Sequence, residues 1–168
     1  MIFHHDPDPR LITVRRGGSL TDEHHRLLAQ WAATCAAHVL YHFSLAQPND
    51  DRPRQAIDAA MDWALGGARG VMEVRALGGH AMASARLLRG APRAAAFAAG
   101  QAACVAHVAA HDLGAAAYAI RAVQQAAGIA AGRTECAWQR AQLADAVRAL
   151  VLWEKVRRNS VCWSVFVE

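Results

Sequence analysis

The stretch that decides the fold class of this chain is AAAFAAGQAACVAHVAAH, residues 94–111. It contains no Asp, Glu, Lys or Arg, and alanine is its commonest residue. Alanine has the highest intrinsic helix propensity, because its side chain loses no rotamer entropy in a helix. The stretch is only weakly apolar, since alanine dominates it and Gln101 and two histidines interrupt it. It therefore predicts a helix buried inside a helical protein rather than a membrane span.

The whole chain shares this bias. It has 168 residues, of which 40 are alanine, 54% are apolar and 19% are charged. A chain of this length and composition can bury a core as one domain without disulfides or metals, and it is too apolar for a disordered protein. Its four cysteines form no CxxC pair and match no zinc or disulfide framework. The N-terminus has no signal-peptide pattern, so we expect a cytoplasmic protein with reduced thiols.

Capping residues, prolines and glycines divide the chain into about six helices. Thr21 or Ser19 can cap the first of them, and Pro53 suits the first turn of the second. We expect helices over approximately 19–45, 52–65, 71–88, 92–110, 113–127 and 134–157. Residues 1–18 form an extended lead-in, 19–158 the helical domain, and 159–168 a short tail that is extended by its alternation of side chains.

Short connections between these helices predict an all-α, single-domain bundle or array. The two helices near 94–110 and 113–127 are nearly uncharged, so we expect them to be central and buried. The pair Gly78-Gly79 falls inside the third helix, which it either weakens or brings very close to a neighbour.

Paired histidines are the first candidate for chemistry. His38 and His42 are four residues apart, and so are His107 and His111, so each pair would share one helical face. Two such faces could meet around zinc or iron, which makes a helical metal-binding protein or metalloenzyme one alternative. Neither pair encloses the glutamate of an HExxH motif. The other interpretation is that these histidines are packing or interface residues.

A second candidate is the helix start that carries Arg52 and Arg54 on either side of a proline, with Asp58 one turn later. Two guanidinium groups at the positive end of a helix suit a carboxylate or a phosphate. The alternative is structural, because the two arginines can pair with Asp50, Asp51, Asp58 or Glu73 and fasten the loop.

No nucleophile elbow, P-loop or dinucleotide motif is present in the sequence. The net charge is +4, but the arginines are spread along the chain rather than grouped, which makes nucleic acid an unlikely partner. A nucleic-acid-processing accessory factor is therefore only a second alternative. Trp163 in the apolar tail is expected to be exposed, where it could anchor a partner or a homodimer.

Two segments resemble a known family. They are RPRQAIDAA with the following WALG, within residues 52–66, and AHVAAHDLGAA with YAIRA, within residues 106–122. Both resemble the all-helical immunity proteins encoded beside bacterial polymorphic toxins, over about residues 25–155. The resemblance implies a protein that binds and neutralises a cognate toxin in the cytoplasm and performs no catalysis. It singles out six positions: Arg52, Arg54, Asp58, His107, His111 and Tyr118.

The charge of the chain bears on the toxin. Immunity proteins that bind basic nucleases are usually acidic, since opposite charges speed association. This chain is basic, which disfavours a basic nuclease as the toxin unless an acidic patch is local.

Overall fold

A computed structural model of the chain describes residues 8–166. Within that range the chain forms α-helices, three short 3-10 turns and one isolated β-bridge between Thr13 and Leu20, which confirms the all-α class. The helices are α1 (Asp22–Val39), α2 (Tyr41–Ala46), α3 (Arg52–Ala64), α4 (Val71–Ser84), α5 (Gly90–Cys104), α6 (Asp112–Ala141) and α7 (Asp145–Arg158). None of these helices is both long enough and apolar enough to span a membrane.

The Ala-rich segments do lie at the centre. Helix α5 contacts α1, α2, α3, α4 and α6, and its buried side chains are almost all alanine. The first part of α6 is buried from Asp112 to Ala117. Small side chains allow several helices to pack around α5, because they let the axes of neighbouring helices come close together.

Helices α4 and α5 cross with their backbones in contact. A methyl group on Gly78 would lie 2.7 Å from the carbonyl oxygen of Gly100, whereas one on Gly79 would meet nothing within 4 Å. Gly78 therefore makes the close helix approach that the sequence allowed, and Gly79 faces outward.

Three expected helices end earlier than their patterns indicate. The third, expected over 71–88, ends at Ser84 as α4. The first divides after Val39, so the segment up to Ala46 is the separate helix α2. Helix α5 ends at Cys104, and a 3-10 turn over Ala109–His111 leads into α6. The expectation of one helix to Ala110 was therefore wrong, and His107 and His111 do not share a helical face.

The break expected at residues 128–132 is present at Gly128, but it is a kink of one residue between two helical segments rather than a loop of five. Only Gly128 leaves the helical conformation, with φ 88° and ψ 175°, and α6 continues beyond this kink to Ala141. Glycine adopts this positive φ without the steric penalty that a Cβ would bring. A further break at residues 142–144 divides the expected sixth helix between α6 and α7.

The two ends of the described chain are turns rather than extended segments. The lead-in contains 3-10 turns at Pro9–Leu11 and Val14–Arg16, while residues 1–7 lie outside the described range. The tail turns at 159–164, where Trp163 and Ser164 have positive φ, and Cys162 and Val165 are buried. The alternation of side chains predicted an extended tail, and this prediction was wrong because the tail folds back onto the helices. Residues 167–168 lie outside the described range.

Candidate functional site

The arginine corner at the start of α3 is only partly available for a ligand. The side chain of Arg52 turns back on Asp50, with its Nε 2.9 Å from Oδ1 and its Nη2 on Oδ2. This ion pair lowers the pKa of the Asp50 carboxyl, chiefly through the side-chain hydrogen bonds from Arg52. Arg54 and Asp58 are both exposed and form no ion pair among residues 8–166. The guanidinium of Arg54 is therefore the one that remains open to a partner at this corner.

The first histidine pair lies between α1, α2 and α6. His38 donates from Nδ1 to Oε2 of Glu135 at 2.8 Å, and its ring stacks on Trp138 with the ring centres 3.7 Å apart. The ring of His42 lies against Tyr41, and burial lowers its pKa. Both histidines thus have packing roles at one helix junction.

The second pair lies in the connection between α5 and α6. His111 donates from Nδ1 to Oε1 of Gln101 at 2.8 Å. Burial, with the nearby Arg158 charge, lowers the pKa of His111 to about 4, so its ring is neutral at pH 7. Burial and the charges of Arg75 and Arg16 lower the pKa of His107 as well.

The fold does not bring the two histidine pairs to one centre. Across residues 8–166, no group of three or more His, Cys, Asp or Glu side chains has an arrangement that could hold a metal ion. The four-histidine site that the zinc or iron alternative requires is therefore not assembled.

Tyr118 fastens the tail to the helical body. Its ring contacts Phe97 on one side, with the ring centres 5.2 Å apart, and Trp163 on the other at 4.9 Å. Arg121 also lies over Trp163, 4.4 Å from the ring centre. Burial raises the pKa of the Tyr118 hydroxyl. These contacts explain how a tail with an exposed tryptophan is held in place.

A recess that the sequence reasoning missed opens beside His107. It has a volume of about 250 Å³ and is lined by residues 11–13, 15–16, 22, 25, 63, 71 and 106–109. We call it the basic recess. Its floor is largely apolar, and the half-buried ring of Trp63 forms part of it. Residues far apart in sequence meet here because the N-terminal segment folds over the end of α5.

Two arginines, Arg15 and Arg16, line the basic recess, and the charge of a third, Arg75, acts on the lining residue His107. Arg15 binds Asp22, the one carboxylate among the lining residues that the structure describes. Arg16 is exposed and has no ion pair within residues 8–166, and the same holds for Arg75, whose charge reaches His107 from α4. The rim therefore has an excess of positive charge that the described residues leave unbalanced.

The inner wall of the basic recess is rigid. His25 is buried and donates from Nε2 to the carbonyl oxygen of Val105 at 2.6 Å, which joins α1 to the end of α5. Trp63 meets the His25 ring edge-on at 5.0 Å, and Arg26 lies 5.8 Å from the centre of the Trp63 ring. The one sequence signal for this site was the Arg15-Arg16 pair before two glycines, which local patterning could not connect to Trp63.

A buried ionic cluster forms where α7 packs near the start of α6. Asp112, Glu154, Lys155 and Arg158 are all at most 4% exposed. Arg158 lies 3.4 Å from Glu154 and 3.8 Å from Asp112, and it donates to the carbonyl oxygen of Ala110 at 2.8 Å. Burial raises the pKa of Asp112 to about 6 and lowers that of Lys155. The cluster fixes the junction of the histidine-bearing connection with the C-terminal helix.

None of the curated proteins and none of the solved structures shows a significant match to this chain. One family model does match, and it is described as Imm-5 like putative immunity protein. The match spans residues 18–146, about three quarters of the chain, from the residues before α1 to the first turn of α7. It includes both histidine pairs, the α3 corner and Tyr118. The chain therefore belongs to the Imm-5 like immunity protein family.

Proposed function

We propose that this protein binds a cognate toxin and neutralises it by protein–protein contact, in the cytoplasm of the cell that makes both. The observation that carries the proposal is the family match over residues 18–146. That region contains helices α1 to α6, which form the central packing of the fold. A binding function needs such a rigid scaffold and an exposed surface of matching shape and charge.

The state of the polar side chains is compatible with a binding function. One ring nitrogen of His25 is hydrogen-bonded to the carbonyl oxygen of Val105 and one of His38 to Glu135, so both histidines have structural contacts between helices. Exposed arginines, by contrast, are without ion pairs at several positions of the described surface, among them Arg16, Arg54 and Arg75. Arginine is enriched at protein interfaces, because its planar group makes several hydrogen bonds and stacks on aromatic rings.

The test uses the toxin encoded by the neighbouring gene. The chain is co-expressed with that toxin, cell survival is measured, and the two proteins are then mixed in increasing ratios. We expect survival, co-purification, and complete neutralisation at a fixed ratio of the two proteins. The same toxin co-expressed with an unrelated helical protein of similar size is the control.

Two outcomes would contradict the proposal. Failure of the purified proteins to bind each other, with no protection of the cells, would remove the immunity function. Neutralisation by a small fraction of an equivalent would show that the chain acts by turnover instead.

A further inference from the structure

We infer that the basic recess is the docking site for an acidic segment of the toxin, in which a carboxylate side chain meets the arginine rim while an apolar neighbour enters the recess. This inference rests on the proposed function and adds to it the surface and the chemistry of the partner.

Charge complementarity is the first argument. Arg16 lines the recess, is exposed and has no ion pair among residues 8–166, while the one lining carboxylate, Asp22, is already bound by Arg15. The exposed Arg75 on α4 does not line the recess, but its positive charge acts on the lining residue His107. The mouth therefore attracts negative charge. Unpaired charges at the rim of an interface mainly raise the association rate and select the partner.

Size and lining are the second argument. A volume of about 250 Å³ lies below the roughly 300–1,000 Å³ of pockets that enclose drug-sized ligands. The floor is lined by Trp63, Val71 and Ala106 among others, which suits one or two apolar side chains. Tryptophan and arginine are both enriched at interface hot spots, and Arg26 lies 5.8 Å from the centre of the Trp63 ring.

The shape of the positive patch favours a protein over a nucleic acid. A nucleic-acid site needs cations that follow successive phosphates along a groove or a stripe. Here Arg16 lines a single apolar recess and the charge of Arg75 acts on its His107, so the two arginines suit one short acidic segment with an apolar side chain beside it.

The experiment reverses the charges of these two arginines. Arg16→Glu with Arg75→Glu forms the test variant, and Arg133→Glu with Arg89→Glu is the matched control, since both control arginines are exposed and do not line the recess. Binding to the neighbouring-gene toxin is measured by surface plasmon resonance at 50 mM and 300 mM salt. Circular dichroism and the urea midpoint confirm that each variant is folded.

We expect the test variant to associate at least about tenfold more slowly than wild type at low salt, and the control variant less than about threefold more slowly. Hydrogen exchange of the wild-type complex should show protection at residues 11–16 and 105–109. A Trp63→Ala variant should mainly raise the dissociation rate, because it removes the apolar floor.

The outcomes separate this inference from the proposed function. If wild type binds the toxin and the test variant binds equally well, the docking site is elsewhere and the immunity function stands. If wild type does not bind the toxin at all, both proposals fail together. A 20-base-pair DNA duplex is the third probe: if DNA binding, and not toxin binding, is lost with Arg16 and Arg75, the recess is a nucleic-acid site.

Discussion

Burial acts in opposite directions on two adjacent residues, His111 and Asp112. It lowers the pKa of His111 to about 4 and raises that of Asp112 to about 6, because a low-dielectric environment disfavours the charged form of either group. The structure thus keeps the histidine neutral at pH 7 and makes the carboxylate easier to protonate. These shifts link the stability of the α5–α6 connection to pH.

Replacing His111 with Gln should reduce the loss of stability in acid. The pKa of His111 in the folded protein, about 4, lies below the ordinary histidine pKa of 6.5 that applies in the unfolded state. The unfolded chain therefore binds the proton first as the pH falls. The histidine's contribution is complete above pH 6.5 and is lost as the pH falls towards 4. Between pH 7.5 and 5 we expect the variant to lose about 2 kcal/mol less stability than wild type in urea unfolding.

Asp112 acts in the opposite direction over a neighbouring range. The pKa of Asp112 in the folded protein, about 6, lies above the ordinary aspartate pKa of 3.8. The free-energy cost of burying its charge is therefore present above pH 6 and is relieved as the pH falls towards 3.8. Wild type and His111→Gln both contain Asp112, so its contribution cancels when the slopes of unfolding free energy against pH are compared between them. Equal slopes would show that His111 titrates normally in the folded protein.

Arg54 offers a simpler prediction at the same scale. Its side chain is exposed and has no ion pair within the described residues, so Arg54→Ala should change the unfolding free energy by less than about 0.5 kcal/mol. A structural pairing of Arg54 with Asp51 or Asp58 would have predicted a larger loss. Chemical unfolding of Arg54→Ala measures this, and a shift above about 1 kcal/mol would restore the structural interpretation of the α3 corner.

At the scale of helices, the crossing of α4 and α5 depends on two residues without side chains, Gly78 on α4 and Gly100 on α5. Gly78 lies where a methyl group would come within 2.7 Å of the Gly100 carbonyl oxygen. Backbone atoms cannot move aside as a flexible side chain can, so a larger residue must separate the helices. The neighbouring Gly79 provides an internal comparison, since it has the same helix and the same residue type without the contact.

We therefore expect Gly78→Ala and Gly79→Ala to have opposite effects. Gly78→Ala should destabilise the fold by about 1–3 kcal/mol through overpacking at the crossing. Gly79→Ala should stabilise it by up to about 1 kcal/mol, because alanine loses less backbone entropy in a helix. Thermal and urea unfolding of both variants measure the difference, and two effects of the same sign would contradict the close crossing.

At the scale of the whole molecule, the buried ionic cluster connects the C-terminal helix to the central helices. Arg158 is only 4% exposed in its side chain and lies beside Asp112 and Glu154, which are equally buried. Removing one member of a buried ion pair leaves a charge without its partner in a medium that solvates it poorly. The cluster therefore makes α7 part of the cooperative fold although most of α7 lies beyond the family match.

Replacing Arg158 with Met should cost about 3–5 kcal/mol of unfolding free energy at pH 7.5. The loss should be smaller at pH 5, because Asp112 is then protonated more easily. The comparison is Arg69→Met, which removes the exposed ion pair with Glu73 at 2.7 Å and should cost at most about 1 kcal/mol. Equal losses in the two variants would show that burial does not govern the strength of these pairs.

Much of the architecture could be predicted from local sequence. The alanine content, the N-cap Thr21 and the proline at the start of α3 are short-range signals, and the structure uses each of them. Helix ends were harder, because α5 stops at Cys104 inside an apolar run that has no capping signal. The end of the fifth predicted helix was easier to predict, because Gly128 interrupts α6 with a positive φ of 88°.

The candidate site residues were likewise only partly predictable from the sequence. Sequence identified Arg52 and Arg54 at a helix start, with Asp50 as a possible partner, and the histidines in pairs four residues apart, but it did not identify the partners of the histidines. The hydrogen bond of His38 to Glu135 joins residues 97 positions apart, and Arg16 and His107, which both line the basic recess, are also far apart in the sequence. A pattern of neighbouring residues cannot predict contacts between residues so far apart in the sequence.

The sequence by itself therefore determined the helical class, the burial of the central Ala-rich helices and the family, because helix propensity, composition and short motifs are properties of neighbouring residues. Only the tertiary structure decided, among the described residues, that the histidine pairs do not meet, that His38 contacts Glu135, and that Arg16 lies free beside an apolar recess. The physical reason is that the charge balance and burial of a side chain depend on residues distant in sequence, which the packing of the helices brings within a few ångströms of it.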